Sequence, residues 1–361
     1  MLKTKVLVVD DSVFMRKLIS RLIEEDASLQ VIGTARNGLE AVKMVKELHP
    51  HVVTLDIEMP EMNGLEALKK IMEERPTPVL MLSSLTQEGA HETIAALQCG
   101  AVDFIAKPSG PISADLFKVK KELVSKIKLA AQTPLATLLS LSRNKTTNKT
   151  TPKVGLEHKH IAKDGLKTKE FDQILAIGTS TGGPKALEIV ITALPANFPY
   201  PVLVVQHMPP KFTHSLAQRL DRMAGIRVVE AEENQLVQGG TIYIAPGDYH
   251  MTIAQRNREF RIHLHQQSPR NGHRPSVDVL FESVSKLIRL KRHYILMTGM
   301  GSDGAKGMSE AKQAGACSTI AESKETCVVF GMPKSAIEQK CVDYIVPVNQ
   351  IASKILEVTG L

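Results

Sequence analysis

Residues 5–12 read Lys-Val-Leu-Val-Val-Asp-Asp-Ser, an apolar run that stops at two carboxylates and a hydroxyl. A short apolar run with such an ending is typical of a buried strand in a parallel sheet. Apolar and helical segments alternate from this run to residue 106. The apolar segments are Lys5–Val9, Val31–Ala35, Val52–Leu55, Val79–Leu82 and Val102–Ala106, and the helical ones are Phe14–Glu25, Leu39–Leu48, Leu65–Glu74 and Ala90–Leu97. Five strands that alternate with helices predict a parallel, doubly wound α/β domain.

Polar side chains follow four of the five predicted strands. They are Asp10 and Asp11, Asp56, Ser83 and Lys107. Taken singly, an Asp after a strand is typical of a turn or a helix cap, and a Lys before a proline is typical of a solvated loop. Ligands of doubly wound sheets bind beyond the carboxyl ends of the strands, so the five residues together predict one pocket.

Three carboxylates in one pocket repel one another unless a cation lies between them. Mg²⁺ suits a site that offers a few protein oxygens together with water and phosphate. A carboxylate can attack phosphorus and form an acyl phosphate, while the metal and a lysine neutralise the transferred oxygens. Asp56 lies mid-sheet between the acidic pair and Lys107, and we therefore expect it to be the phosphoryl acceptor.

The second half of the chain repeats the alternation. The predicted strands are Ile174–Ile177, Val202–Gln206, Thr241–Ala245, Met251–Ala254, Phe260–His265 and Tyr294–Met297, and the helices are Lys185–Leu194 and Val277–Ile288. This pattern predicts a second α/β domain, whose sheet is mostly parallel and carries an antiparallel insertion.

A basic, polar segment separates the two halves. Residues 126–169 contain ten Lys or Arg and two acidic residues, a net charge of +8, while the whole chain carries +7. The rest of the chain is therefore close to neutral, and the excess charge predicts an extended linker rather than a nucleic-acid site. We expect domains at 1–125 and 170–361, as the length of 361 residues allows.

Residues 178–182, Gly-Thr-Ser-Thr-Gly, fit the pattern G-x-S-x-G at a strand-to-helix turn, which would raise Ser180 to the edge of the sheet. A phosphate-binding loop and a simple packing turn are the alternatives. A Walker loop is excluded, because Gly183 is followed by Pro184 and not by Lys. The pattern favours a serine nucleophile.

A serine nucleophile needs a base and an acid that orients the base. His207 ends the strand after Ser180, and Asp303 follows a later strand, so all three are expected on one rim of the sheet. His250 is the rival base, but it lies in the predicted insertion. Singly, such a His or Asp is more often structural. The order Ser, His, Asp disfavours an ordinary α/β-hydrolase.

The first third of the chain resembles the receiver domain of two-component response regulators, a flavodoxin-like fold. The matching motifs are Val-Val-Asp-Asp-Ser at 8–12, Leu-Asp-Ile-Glu-Met-Pro at 55–60, Asn-Gly at 63–64, Ser-Ser at 83–84 and Lys-Pro at 107–108. The resemblance implies that Asp10, Asp11 and Asp56 hold Mg²⁺ and that Asp56 is phosphorylated by a histidine kinase. It also implies that Ser83 and Lys107 contact the phosphoryl group, and that the rotamer of Phe104 reports the switch.

The second half resembles the bacterial chemotaxis protein-glutamate methylesterases, the CheB family. The matching motifs are Ile-Gly-Thr-Ser-Thr-Gly-Gly-Pro at 177–184, Val-Gln-His-Met-Pro at 205–209, Ile-Ala-Pro-Gly-Asp-Tyr-His-Met at 244–251, His-Arg-Pro-Ser-Val-Asp-Val-Leu-Phe at 273–281 and Met-Thr-Gly-Met-Gly-Ser-Asp-Gly at 297–304. The resemblance implies Ser180 as nucleophile, His207 as base and Asp303 as its orienting acid. Thr181 and the Met300 backbone would then lie near the oxyanion.

That family hydrolyses glutamate γ-methyl esters, and deamidates certain glutamines, on methyl-accepting chemotaxis receptors. The resemblance implies a hydrolase that needs no cofactor for the esterase step and is activated when phosphorylation displaces the receiver from the catalytic face. The alternative is a response regulator whose second half binds DNA or protein without catalysis. The size of that half and the lack of a short basic helix-turn-helix argue against this alternative.

The remaining sequence features concern compartment and assembly. The apolar run near the N-terminus is too short for a signal peptide or a membrane span. The four cysteines are scattered without Cys-x-x-Cys spacing, which disfavours a zinc site or a disulfide framework. We expect a cytoplasmic monomer that binds no nucleic acid and does not insert into membranes.

Overall fold

The computed structural model describes residues 3–107, 113–134, 139, 170–257 and 259–361. The N-terminal half contains one five-stranded parallel sheet with the order β2-β1-β3-β4-β5. Its strands are β1 Thr4–Val9, β2 Leu29–Ala35, β3 Val52–Asp56, β4 Val79–Ser83 and β5 Asp103–Ala106. Its helices are α1 Val13–Glu24, α2 Gly38–Leu48, α3 Gly64–Glu74, α4 Gln87–Gln98 and α5 Ser113–Gln132. The doubly wound architecture predicted from the sequence is confirmed.

Polar caps mark the start of each of the first four helices. The side chains of Ser12, Asn37, Asn63 and Thr86 accept hydrogen bonds from backbone N–H groups in the first turns of α1 to α4. Each cap satisfies a donor that the helix itself cannot pair. The strand order reverses between β1 and β3, so the carboxyl ends of these two strands flank the pocket where ligands of such sheets bind.

The C-terminal half contains a seven-stranded parallel sheet with the order β14-β13-β12-β6-β7-β9-β8. Its strands are β6 Gln173–Thr179, β7 Val202–Gln206, β8 Arg227–Glu230, β9 Thr241–Ile244, β12 Lys291–Leu296, β13 Ser318–Glu322 and β14 Tyr344–Val346. Strands β10 His250–Arg256 and β11 Glu259–His265 form a separate antiparallel hairpin. The predicted mostly parallel sheet with an antiparallel insertion is therefore confirmed, and the insertion is this hairpin.

Six helices cover the second sheet. They are α6 Gly183–Ala193, α7 Phe212–Met223, α8 Val277–Ser285, α9 Ala305–Gln313, α10 Met332–Glu338 and α11 Val348–Thr359. None of the helices in the described ranges is long and apolar enough to cross a membrane. Helix α8 ends three residues before the predicted Ile288.

The two halves pack directly against each other. Helix α4 lies on α6 and α7, and the ring of Phe104 stacks on that of Phe212 with centroids 4.6 Å apart and planes inclined by 10°. Both rings belong to one apolar cluster that runs from the first sheet into the second half. A second cluster joins α5 to Val328 and Val329. The halves thus share buried apolar surface, which stabilises their docking.

The segment predicted as a basic linker is described only in part. Helix α5 includes residues 126–132, so the helix continues into the predicted linker. Residues 135–138 and 140–169 lie outside the described residues. The proposed domain bounds therefore stay predictions.

Candidate active site and acidic pocket

Ser180 lies in the turn between β6 and α6, as the G-x-S-x-G pattern predicts. Gly182 has a φ of +80° there, a conformation that L side chains rarely adopt. The turn is also tight, because a Cβ on Gly183 would lie 2.0 Å from the side-chain oxygen of Gln206. Ser180 N–H donates to the carbonyl of Thr298 at 3.0 Å, and Ser180 C=O accepts from Gln206 Nε2 at 2.9 Å. The serine is thus held on a rigid turn between two neighbouring strands.

His207 and Asp303 form a hydrogen-bonded pair at the same rim of the sheet. His207 Nε2 lies 2.8 Å from Asp303 Oδ2, and both side chains are buried. Burial alone would raise the pKa of Asp303, but hydrogen bonds from His207, from Val277 N–H and from Ser276 Oγ outweigh it and hold that pKa well below its usual range. Asp303 is therefore a carboxylate that only accepts, so His207 must donate through Nε2–H.

The other ring nitrogen of His207 carries the lone pair that a general base needs. His207 Nδ1 is buried and has no hydrogen-bond partner among the described residues. His207 and Ser180 line one cavity of about 770 Å³, and no hydrogen bond joins Ser180 Oγ to the ring within the described ranges. The geometry thus leaves Nδ1 unpaired on a side chain that lines the same cavity as the serine.

Asp303 occupies the N-terminus of α8, a position that favours a negative charge. It accepts from the N–H groups of Val277 at 2.7 Å and Asp278 at 3.2 Å. Asp278 acts in the opposite direction at the start of α9, where it accepts from Gly304 N–H at 2.9 Å and Gly307 N–H at 2.7 Å. Asp303, just before α9, therefore binds the start of α8, and Asp278, in the first turn of α8, binds the start of α9. These reciprocal hydrogen bonds hold Asp303 in place.

His273 is a site residue to which the sequence analysis gave no role. Its ring stacks on that of His207, with centroids 3.8 Å apart and an interplanar angle of 8°. Burial and the neighbouring His207 lower the pKa of His273 to about 4, so it is neutral near pH 7. Its place in the quoted motif at 273–281 was the only sequence signal for it.

His250, the rival base, has both ring nitrogens engaged elsewhere. Ser276 N–H donates to Nδ1 at 3.2 Å, and Nε2 lies 3.3 Å from the carbonyl of Ser268. Burial lowers the pKa of His250. Since its lone pair is occupied by a backbone donor, His250 is the weaker candidate for the base.

Thr181 and Met300 lie beside Ser180, where the resemblance places the oxyanion. Both line the cavity, and Met300 is partly exposed at 40%. Thr181 Oγ1 donates to Asp103 Oδ2 of the N-terminal half at 2.6 Å. The cavity walls accordingly come from both halves, with Asp103, Phe104 and Lys126 on the N-terminal side.

The acidic pocket forms at the carboxyl edge of the first sheet, as predicted. Asp10, Asp11 and Asp56 place ligand oxygens within 4.8 Å of one another. Lys107 Nζ lies 2.9 Å from Asp10 and 2.8 Å from Asp56. Burial raises the pKa of Asp56 to about 6 against the opposing effect of Lys107. Buried Asp56 Oδ2 has no hydrogen-bond partner among the described residues, and this donor set of hard oxygens fits Mg²⁺.

In this structure Ser83 contacts α4 and Phe104 contacts the second half, and the switch roles implied by the resemblance stay predictions. Ser83 Oγ donates toward the carbonyl of Gly89 at 3.2 Å and accepts from Thr93 Oγ1 at 2.8 Å, so its hydroxyl bonds to α4. Phe104 is buried under the stack with Phe212. Asp103 and Lys126, which the sequence analysis did not single out, pair beside it with a separation of 3.3 Å.

Comparison with known proteins assigns both halves. The sequence model of the CheB methylesterase family matches residues 175–355, and that of the response regulator receiver domain matches residues 6–115. A protein-glutamate methylesterase/protein-glutamine glutaminase from Geobacillus kaustophilus is 50% identical over 99% of each chain, and one from Thermotoga maritima is 45% identical over 98% of each.

A solved structure extends this likeness to the fold of the second half. The crystal structure of the Thermotoga maritima CheB methylesterase catalytic domain matches with a TM-score of 0.51 and 45% identity, covering 52% of this chain and all of that one. Matches over nearly the full length leave no support for a non-catalytic output domain. The chain is therefore a receiver-linked member of the CheB family of protein-glutamate methylesterase/protein-glutamine glutaminases.

Proposed function

We propose that this chain hydrolyses glutamate γ-methyl esters on methyl-accepting chemotaxis receptors through Ser180, His207 and Asp303, and that phosphorylation of Asp56 activates it. The observation that carries the proposal is the pairing of His207 Nε2 with Asp303, which leaves Nδ1 unpaired on a side chain that lines the same cavity as Ser180. Deamidation of receptor glutamines would use the same groups, because both reactions transfer an acyl group.

The reaction begins when Ser180 Oγ attacks the side-chain carbonyl carbon and His207 Nδ1 takes the hydroxyl proton. Asp303 stabilises the imidazolium that forms. The tetrahedral intermediate then expels methanol, or ammonia from a glutamine, after His207 returns the proton to the leaving group. Water, activated by the same base, hydrolyses the acyl-enzyme. Proton transfer of this kind contributes roughly 10²- to 10⁴-fold to the rate.

The oxyanion of the intermediate would lie at the start of α6. Backbone N–H groups at Thr181 and Met300 are the proposed donors, and one such donor contributes about 3 kcal/mol. Thr298 holds the turn at Ser180 and Thr181 in place, because its carbonyl accepts from Ser180 N–H and its hydroxyl lies 2.9 Å from the carbonyl of Thr181. His273 keeps the ring plane of His207 fixed and, being neutral, does not oppose formation of the imidazolium.

Phosphorylation would occur at Asp56 Oδ2, the unpaired oxygen of the acidic pocket. Asp10, Asp11 and Asp56 would hold Mg²⁺, which when bound neutralises charge on the transferred phosphoryl oxygens. Lys107 contacts both Asp10 and Asp56 and is ready to pair with the phosphoryl group. The proposed donor is a chemotaxis histidine kinase.

The docked receiver provides the proposed means of inhibition. Asp103 holds the hydroxyl of Thr181, and Phe104 stacks on Phe212, so the receiver forms one wall of the catalytic cavity. Both receiver residues lie on β5, and Lys107 follows the same strand. A phosphoryl group on Asp56 adds a charge of about −2 and draws Lys107 toward it, which would shift β5 and weaken the docking.

We further propose that the protein acts in the cytoplasm as a monomer, with residues 1–125 as receiver, 126–169 as linker and 170–361 as catalytic domain. The family matches at 6–115 and 175–355 support these bounds. A linker that tethers the domains keeps their effective concentration high, so even a weak interface suffices for inhibition.

The first test is methanol release from a methylated receptor cytoplasmic fragment, with and without acetyl phosphate and Mg²⁺. We expect release to rise with the phosphodonor in the wild-type protein and to stay at the basal level in Asp56→Asn, whose amide cannot form an acyl phosphate. Glu73→Gln, an exposed change on α3, serves as the control and should respond like wild type. An Asp56→Asn protein that responds fully to the phosphodonor would refute the proposed acceptor.

A second test concerns the contact between Asp103 and Thr181. We expect Asp103→Ala to raise methanol release without phosphodonor by roughly 10-fold, because hydrogen bonds to charged groups contribute about 1.5–3 kcal/mol and this one holds the receiver on the cavity. The phosphodonor-activated rate should change by less than about 2-fold. Basal activity equal to that of wild type would contradict the role of this contact in inhibition.

A further inference from the structure

Glu322 is a buried carboxyl group behind the catalytic turn that the proposed mechanism does not use. It ends β13, next to β12, and its side chain has no exposed surface. Its Oε2 accepts from the N–H of Thr298 at 2.8 Å, and its Oε1 lies 2.9 Å from Thr326 Oγ1. Burying a carboxyl group costs free energy unless hydrogen bonds compensate, and the contacts of Glu322 therefore point to a role.

Thr298 connects Glu322 to the nucleophile turn. Its carbonyl accepts from Ser180 N–H at 3.0 Å and from Thr179 Oγ1 at 2.8 Å. Its hydroxyl lies 2.9 Å from the carbonyl of Thr181 and accepts from Val329 N–H at 3.1 Å. Every polar group of Thr298 is therefore engaged, and among the described residues the partner of its N–H is the carboxyl of Glu322.

We propose that Glu322 is a positioning residue that works as a neutral acid: it fixes Thr298, and through Thr298 it fixes the peptide groups of Ser180 and Thr181 around the oxyanion. The proposal rests on the assignment of Ser180 as the nucleophile. Glu322 itself touches no substrate in this scheme, and its effect is transmitted by the hydrogen bonds of Thr298.

The surroundings favour the neutral form below about pH 7. Thr298, Thr326 and Cys327 are the groups whose hydrogen bonds act on the carboxyl, and no Lys, Arg or His in the described part of the chain contributes to its charge balance. Burial raises the pKa of Glu322 to about 7, and these hydrogen bonds only partly oppose it. Burial, followed by the neighbouring Glu322, likewise raises the pKa of the Cys327 thiol, so that group stays neutral too.

In this structure Thr326 Oγ1 donates to Glu322 Oε1 and accepts from Val348 N–H at 3.0 Å. A neutral acid needs only the first of these bonds reversed: with the proton on Oε1, Glu322 donates to Thr326 Oγ1, and the hydroxyl hydrogen of Thr326 rotates away. Oε2 still accepts from Thr298. A glutamine reproduces this pattern, because its oxygen can accept from Thr298 and its amide nitrogen can donate to Thr326. Glu322→Gln is thus the conservative variant, and Glu322→Leu removes both hydrogen bonds at similar volume.

The charge state predicts the pH dependence of stability. The folded pKa of about 7 lies above the ordinary value of 4.5, so the folded state holds the proton more tightly than the unfolded state. Wild-type stability therefore includes a penalty that grows as pH rises from about 4.5 to about 7 and then stays constant. Glu322→Gln lacks that penalty. We expect its Tm to match wild type at pH 5 and to exceed it by several degrees at pH 8.

The kinetic test measures kcat and KM for methanol release by the full chain with acetyl phosphate and Mg²⁺. We expect Glu322→Leu to lower kcat by roughly 10- to 100-fold with KM nearly unchanged, because Thr298 N–H is left buried without a partner and no longer holds the turn in place. Glu322→Gln should keep kcat within about 3-fold of wild type at pH 6, and its ratio to wild type should rise toward pH 8.5. Glu325→Gln, an exposed change three residues away, is the control.

Each outcome decides a defined part of the proposal. A Glu322→Leu protein with wild-type kcat overturns the positioning role, and a Glu322→Gln protein as slow as Glu322→Leu overturns the neutral acid. Equal Tm differences at pH 5 and pH 8 overturn the neutral acid as well, even if Glu322→Leu does not fold. Ser180→Ala measured alongside separates the two proposals, because activity in that variant would refute the nucleophile while the Tm comparison still tests the charge state of Glu322.

Discussion

Replacement of Ser180 by alanine is expected to abolish methanol release, lowering kcat by at least about 10³-fold whether or not a phosphodonor is present. The reason is chemical: the variant has no side-chain oxygen to form the acyl-enzyme. The fold should persist, because the turn is held by backbone hydrogen bonds to Thr298 and Gln206 and not by the hydroxyl.

Two further measurements make the result of Ser180→Ala decisive. Phosphorylation of Asp56 by acetyl phosphate should be the same as in wild type, which shows that the receiver is intact. Ser302→Ala, which changes an exposed serine near Asp303, should keep its rate within about 2-fold. If Ser180→Ala still releases methanol at the wild-type rate, another group must be the nucleophile and the triad assignment fails.

Replacement of Asp303 by asparagine is expected to lower kcat by about 10³- to 10⁴-fold, comparable with the loss on the same change in serine protease triads. Both carboxylate oxygens of Asp303 accept from donors: Oδ2 from His207 and Val277 N–H, and Oδ1 from Ser276 Oγ and Asp278 N–H. An amide has a nitrogen on one side and cannot accept there. Placed toward His207, that nitrogen would force the proton onto Nδ1 and remove the base.

The tautomer of His207 gives a direct readout of this explanation. Nitrogen NMR of the ring should show the proton on Nε2 in wild type and a changed proportion of the two tautomers in Asp303→Asn. Asp172→Asn, an exposed change before β6, is the matched control and should alter neither rate nor tautomer. Near-wild-type kcat in Asp303→Asn would show that this acid does not orient the base.

The sequence predicted the positions of the polar groups that follow strands. Asp10, Asp56 and Lys107 meet at the carboxyl edge of the first sheet, and Ser180 and His207 meet at the carboxyl edge of the second. Both groups form because parallel strands bring their carboxyl ends together. This rule uses only local pattern and topology. It therefore located both pockets without any knowledge of how the two halves dock.

The roles of Asp278 and Glu322, which depend on their tertiary neighbours, were not predicted. Asp278 lies in the first turn of a helix, where an acid is common, and its bonds to the next helix are visible only in the fold. Strand β13 reads Ser-Thr-Ile-Ala-Glu and is completely buried. Because three of its five residues are polar, the sequence did not indicate a core strand there or a role for Glu322. Strands β8 and β14 are short, at four and three residues, and gave no periodic signal.

The orientations of side chains at the docking face were also beyond sequence reasoning. The hydroxyl of Ser83 turns to α4, and Phe104 stacks on a ring more than a hundred residues away in the chain. Both orientations depend on which allowed rotamer packs best against the neighbouring residues. The alternation of strands and helices in the sequence does not determine that rotamer.

The stacking of Phe104 on Phe212 and the contact of Asp103 with Thr181 place the receiver on the face that, in the proposed mechanism, also receives the receptor. If receptor binding displaces the receiver, thermodynamic linkage requires a reciprocal effect. Phosphorylation strengthens receptor binding by some factor, and receptor binding must favour the phosphorylated form by the same factor. Abundant methylated receptor would then raise the population of the active form of the enzyme. The docked face would in this way let the supply of substrate, and not only the kinase, set how much of the enzyme is active.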